Sequence, residues 1–145
     1  MKTIEPLINA DERGYLHSGL TEQIIAVFYE VYNELGYGFL ESVYEEAMYR
    51  ALSSHGLGVV RQSPVPVWFR GELIGDFRAD LVVADSVLIE LKAARAFEPA
   101  HEAQLLNYLR ATPIEVGLLL NFGPRPQIRR LAFSNERKKI SVYQR

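Results

Sequence analysis

The feature that most limits how this chain can fold is a change of hydrophobic period at Gly58. Before it, apolar residues twice recur at helical spacing. Ile24, Val27, Phe28, Val31 and Leu35 form one stripe, with Thr21 as a candidate cap. Gly36 and Gly38 interrupt it. A second helix is expected from about Leu40, with Val43, Ala47, Ala51 and Leu52 on one face, ending at His55-Gly56. After Gly58 the texture is extended. Val59 to Arg61 and Val65 to Arg70 read as an edge or bulged strand around Pro64 and Pro66. Leu73 to Val83, Val87 to Leu91, Val116 to Asn121 and Ile128 to Phe133 read as further strands. One helix intervenes, opened by Pro99, stopped before Pro113, with Ala103, Leu106 and Leu109 inward. The order ααβββαββ, with strands gathered around one crossover helix, predicts an α+β fold (an α/β sandwich) with a mixed sheet.

The chain has 145 residues, room for one domain with a real core. The expected division is an N-terminal arm over 1–17, a domain over 18–135 and a basic tail over 136–145. The absence of cysteine excludes a disulfide scaffold, a thiol nucleophile and a thiolate metal site. His17, His55 and His101 are too scattered for a histidine-rich zinc centre. No apolar run is long enough to span a membrane, and the mixed, acidic N-terminus lacks the pattern of a signal peptide. A soluble cytoplasmic protein is expected. Residues 124–145 hold 7 basic and 1 acidic side chains, whereas residues 1–60 hold 3 and 9. Arg125, Arg129 and Arg130 fall in the basic stretch, which would suit either a solvated end or a phosphate backbone.

Charges enter the apolar run Ser86-Val-Leu-Ile-Glu-Leu-Lys92 at Glu90 and Lys92, two apart and so on one face. Ionised groups in a buried strand are costly unless paired or metal-bound. A Glu–Lys pair at a sheet margin would satisfy them. Asp80 likewise heads an apolar run, and Arg78 could pair with it. If Ala84-Asp85-Ser86 is a three-residue hairpin loop, Val83 pairs with Val87 and Asp80 falls opposite Glu90, Cβ atoms roughly 5 Å apart. A two-residue loop would turn Asp80 to the other face. In the first register two carboxylates repel, and a hard divalent cation such as Mg²⁺ resolves the conflict. With Lys92 beside them to orient a water, these are the parts for metal-assisted phosphodiester hydrolysis.

Asp80 followed by Glu90-Leu91-Lys92 resembles the D…(D/E)xK signature of the PD-(D/E)XK nuclease superfamily. Within it, Gly38-Phe-Leu-Glu41-Ser-Val-Tyr44 resembles the GxxExxY family motif, and Tyr32-Asn-Glu-Leu-Gly36 and His101-Glu-Ala-Gln104-Leu-Leu-Asn-Tyr108 are similar to its neighbouring stretches. The proline of the superfamily name is replaced by Ala79. The resemblance, which runs from about Leu20 to Phe133, implies a restriction-endonuclease-like core. It implies that Asp80, Glu90 and the Leu91 backbone carbonyl hold Mg²⁺ or Mn²⁺, with Glu41 reaching it directly or through water. It implies a catalytic role for Lys92, and for Gln104 with Tyr108 a site-supporting and strand-binding role like that of the QxxxY element of RecB-type nucleases. Arg129 and Arg130 are expected as substrate contacts.

Three functional readings follow. The first is a metal-dependent nuclease acting on DNA or RNA. The second is a catalytically silent nucleic-acid-binding module on the same fold. The third is a subunit active only with a partner, a homodimer being the simplest version. No membrane association is expected.

Overall fold

A computed structural model describes residues 16–139 and Val142. The expected arm over 1–17 lies almost wholly outside the described residues, and the tail over 136–145 partly so. The elements are α1 (Ser18–Leu35), α2 (Glu41–Ser54), β1 (Val59–Phe69), β2 (Glu72–Val83), β3 (Val87–Lys92), α3 (Pro99–Arg110), β4 (Val116–Phe122) and β5 (Pro126–Ala132). A short 3₁₀ turn, Asn135–Arg137, follows. The expected order and the mixed sheet are both present. The strands lie side by side in sequence order; β3 and β4 are parallel and every other pair is antiparallel.

Helices cover both faces. Ile24, Val27, Phe28 and Val31 of α1 and Tyr44, Met48 and Leu52 of α2 pack on Leu81, Ile89, Leu91, Leu118 and Phe122. Leu105, Tyr108 and Leu109 of α3 pack on Val82, Leu88, Leu119 and Leu131. Both β3 and β4 are therefore apolar on two sides, which is why they read as nearly unbroken hydrophobic runs.

Three details differ from the sequence reading. First, α1 begins at Ser18, one turn before Thr21, whose buried hydroxyl donates to the Ser18 carbonyl inside the helix. Second, the inward face of α2 is Tyr44, Met48 and Leu52; Val43 is exposed. The tyrosine can turn inward because its hydroxyl has partners there. It donates to the Gly36 carbonyl (2.7 Å) and accepts from the Phe39 amide (3.2 Å), while its ring stacks on Phe122 with centroids 4.1 Å apart. Third, α3 turns Leu105, Tyr108 and Leu109 inward and leaves Ala103 outside. No helix among the described residues is long and apolar enough to cross a membrane.

Candidate active site

The β2–β3 loop decides where the carboxylates go. Val83 pairs with Val87, the three-residue register. Ala84 and Asp85 both take left-handed backbone (φ 52° and 53°), and the Ser86 amide closes on the Val83 carbonyl at 2.9 Å. Asp85 is a residue type that tolerates this conformation; Ala84 is not, and its amide is anchored to the Gly58 carbonyl at 2.8 Å. This register sets Asp80 across from Glu90.

The two strands do not stay paired that far. Their ladder runs through Val83–Val87, Val82–Leu88 and Leu81–Ile89 and stops there. Beyond it, β2 pairs only with β1, and β3 only with β4. The strands fork, and the carboxylates replace the missing backbone bonds. The Asp80 amide donates to Glu90 Oε2 at 2.9 Å, and the Leu91 amide donates to Asp80 Oδ2 at 2.7 Å. The sequence expectation of facing side chains is met. The crossed pair of carboxylate–amide bonds was not legible, because a regular ladder would have satisfied those amides itself.

Burial raises the pKa of both acids. The Glu90 carboxyl is pushed up to about 8, chiefly by desolvation and next by the charge of Asp80; Asp80 is raised by desolvation, against the Leu91 hydrogen bond, with Glu45 and Glu41 adding repulsion. Lys92 lies near enough to favour the charged forms of both acids. Its amino group makes no ion pair or hydrogen bond with another described residue, so the simple Glu–Lys pair is not formed. Arg78 does not pair with Asp80 either; it donates to the Gln62 carbonyl at 3.2 Å.

The remaining residues approach from both sides of the fork. Leu88, Glu90 and Lys92 share the face that α3 covers. From α3, Gln104 Nε2 donates to the Tyr108 hydroxyl at 2.9 Å. Burial raises the Tyr108 pKa, and the charges of Glu90 and Asp80 add to the effect. From the other side, Glu41 stands in the first turn of α2, where the helix dipole favours an acid, and accepts from the Ala93 amide at 3.2 Å. The Tyr44 hydroxyl fixes the Gly36–Phe39 turn that leads into this position.

Sequence reading missed Glu45 and Gln62. Glu45 is one helical turn beyond Glu41 and nearly buried; it binds Arg61 (3.1 Å) and Gln62 (2.7 Å). Gln62 sits beside Asp80 on β1 with φ 50°, strained backbone next to a candidate site. The i, i+4 spacing of Glu41 and Glu45 was the available signal. His101 is not drawn to the acids. Its Nδ1 accepts from the Glu98 amide, completing the cap of α3.

Arg129 and Arg130 do not form one basic patch. Neighbouring strand residues point to opposite faces. Arg129 meets Glu102 at 3.0 Å and lies over the Phe97 ring. Arg130 is buried on the other face, where its guanidinium donates to the Leu16 carbonyl.

The donor set suits a hard cation. The two carboxylates at the fork offer only oxygen, and the nearby Lys92 charge only partly offsets what burial and their mutual repulsion cost. No group of three or more Asp, Glu, His or Cys side chains converges on one point among the described residues. Mg²⁺ needs only one or two protein carboxylates and keeps waters or takes substrate oxygens for the rest.

A family model for the PD-(D/E)XK nuclease superfamily matches residues 18–131. No curated protein matches the chain. Among solved structures, the crystal structure of SSO0001 aligns with a TM-score of 0.48 and 14% identity, over 82% of this chain and 60% of that one. This chain thus spans less than two thirds of that protein's length, and the likeness carries no functional argument.

Proposed function

The chain belongs to the PD-(D/E)XK nuclease superfamily, and on that footing we propose that it is a Mg²⁺- or Mn²⁺-dependent nuclease that hydrolyses phosphodiester bonds of DNA or RNA at the β2–β3 fork. The finer reading is the GxxExxY family. Its support is the role of Tyr44, which pins the turn that delivers Glu41. The observation that carries the proposal is the pair of acids, Glu90 buried and Asp80 partly so, that replace the strand ladder between β2 and β3.

Asp80, Glu90 and the Leu91 carbonyl would hold the metal, with Glu41 reaching it directly or through water. The bound cation supplies charge stabilisation for the phosphate and a lowered pKa for water. Lys92, which has no fixed partner among the described residues, would hold the attacking water and offset charge on the phosphate. Gln104 holds the Tyr108 hydroxyl by a hydrogen bond, and together they would bound the space the strand occupies.

A second reading has one observation in its favour. The hydrogen bonds from the Leu91 and Asp80 amides could be the whole purpose of the acids, leaving a silent binding module or a subunit that needs a partner. The test is a panel of end-labelled single-stranded, duplex and branched DNA and RNA, incubated with Mg²⁺, Mn²⁺ or EDTA. Wild type should cut at least one member with metal and none with EDTA. Lys92→Ala should lose about 10²- to 10⁴-fold, the usual scale for a positioned proton-transfer group. Equal cleavage by wild type and Lys92→Ala would exclude this site, and no cleavage of any member would overturn the nuclease reading for the isolated chain.

A further inference from the structure

Beyond Lys92 the site changes sign. Lys92, Asn121 and Gln127 stand in one row across β3, β4 and β5. Asn121 ties the row to the loop after β3: its Oδ1 accepts from the Ala94 amide and its Nδ2 donates to the Ala94 carbonyl, both at 2.9 Å, and Nδ2 also donates to Gln127 Oε1 at 3.0 Å. Next to this row an open cleft of about 510 Å³ lies between the loop after β3 and the β4–β5 turn; its lining includes Arg95, Arg125 and Gln127.

Both walls are held in place. The Tyr32 hydroxyl donates to the carbonyls of Gly123 (2.7 Å) and Pro124 (3.0 Å), fixing the turn that carries Arg125. Gly123 packs so closely on the other wall that a Cβ there would stand 2.1 Å from the Ala94 oxygen. The cleft therefore does not depend on a floppy loop for its shape.

Its two arginines are unlike the others. Among the described residues, Arg50, Arg61 and Arg129 pair with carboxylates. Arg78, Arg110 and Arg130 donate hydrogen bonds to oxygens, and Arg70 and Arg137 lie over aromatic rings. Arg95 and Arg125 have no such partner among the described residues, yet they line one cleft. Asp80, Glu90, Glu41 and Glu45 make the fork acidic, and acid alone repels a phosphate chain. A phosphate-binding lane is needed beside it, and guanidinium groups suit phosphate oxygens.

We propose that this cleft binds a phosphate group of the nucleic acid next to the one held at the fork, with Arg95 and Arg125 as its contacts. The inference rests on the nuclease reading and assigns its substrate-binding surface. The shared ligand chemistry is a nucleic-acid phosphate, either an internal diester or a terminal monoester.

The test measures oligonucleotide binding in EDTA over a salt series, for wild type, Arg95→Ala, Arg125→Ala, the double variant and a control with Arg70→Ala and Arg137→Ala. Each oligonucleotide is used with and without a terminal phosphate. Each cleft substitution should reduce the slope of log affinity against log salt by about one, and the pair by about two. The control should stay within a few tenths of wild type. With metal, the double variant should show a raised KM and a kcat within a few fold of wild type. A preference of wild type for the terminal phosphate, lost in the double variant, assigns the cleft to strand ends; the slope change without such a preference assigns it to internal phosphates. An unchanged slope in the double variant, with wild type still cutting in metal, overturns the cleft assignment alone. Failure of wild type both to bind and to cut would overturn the nuclease reading and the cleft with it.

Discussion

Asp80→Asn is expected to make the metal-free protein more stable while removing its activity. The side chain keeps its size, and its amide oxygen can still accept from the Leu91 amide. What disappears is one of two negative charges held in a partly desolvated fork, each raising the cost of the other. A gain of about 1–2 kcal/mol is expected, the usual scale when a strained functional group is neutralised. Activity should move the other way. A lost metal carboxylate forfeits several kcal/mol of transition-state stabilisation. At about 1.4 kcal/mol per tenfold, that is about 10³-fold or more in cleavage rate. Urea unfolding in EDTA and cleavage in Mg²⁺ measure the two effects on the same preparation. A loss of stability would mean that the Asp80 charge serves the fold, and unchanged cleavage would remove Asp80 from the site.

The second large effect is a stability that declines as pH rises. Glu90 titrates from an ordinary value of 4.5 in the unfolded chain to about 8 in the folded one, and Asp80 is raised in the same direction. The folded state therefore binds the protons more tightly. Its advantage is complete below the unfolded pKa and is lost as pH rises through the folded pKa. Metal-free protein should lose stability across the window from about 4.5 to about 8. Lys138, whose amino group burial pulls down to about 8, works above that window, where its deprotonation favours folding. Urea midpoints at half-unit pH steps give the slope directly. Glu90→Gln should flatten it, and saturating Mg²⁺ should remove most of it, because a ligand bound only by the native state offsets the repulsion at high pH. A flat profile in the wild type would contradict the buried-acid account.

The sequence carried the architecture well where the period of apolar residues was unambiguous. The two-sided burial of β3 and β4 follows from their unbroken runs; the register was left open between a three- and a two-residue loop, and the pairing of Val83 with Val87 selects the three-residue one that faces Asp80 with Glu90. Helix faces were less legible. Counting aliphatic residues put Val43 and Ala103 inward, whereas Tyr44 and Tyr108 hold those faces because each hydroxyl has a partner. Hydrogen-bond partners distant in sequence leave no trace in a periodicity. The fork itself was also hidden, since its carboxylates replace bonds that strand pairing would ordinarily make. Arg129 and Arg130 were both expected as substrate contacts, yet the strand expected over Ile128 to Phe133, found as β5 over Pro126–Ala132, already sends them to opposite faces by alternation. The reverse holds for Arg95 and Arg125, 30 positions apart in sequence and joined only by two packed turns.

The most direct test of the account is Mn²⁺ binding, because it depends on neither the substrate class nor a partner. Calorimetric titration of the full chain at pH 8 should give stoichiometric binding in wild type. Asp80→Asn and Glu90→Gln should each weaken it by at least about tenfold, the lower end of what a lost coordinating or supporting group costs. Lys92→Ala should bind metal as wild type does, since the lysine is not a ligand. Mn²⁺ binding that is absent in wild type, or unchanged in both carboxylate variants, would contradict the claim that the fork between β2 and β3 is a metal site.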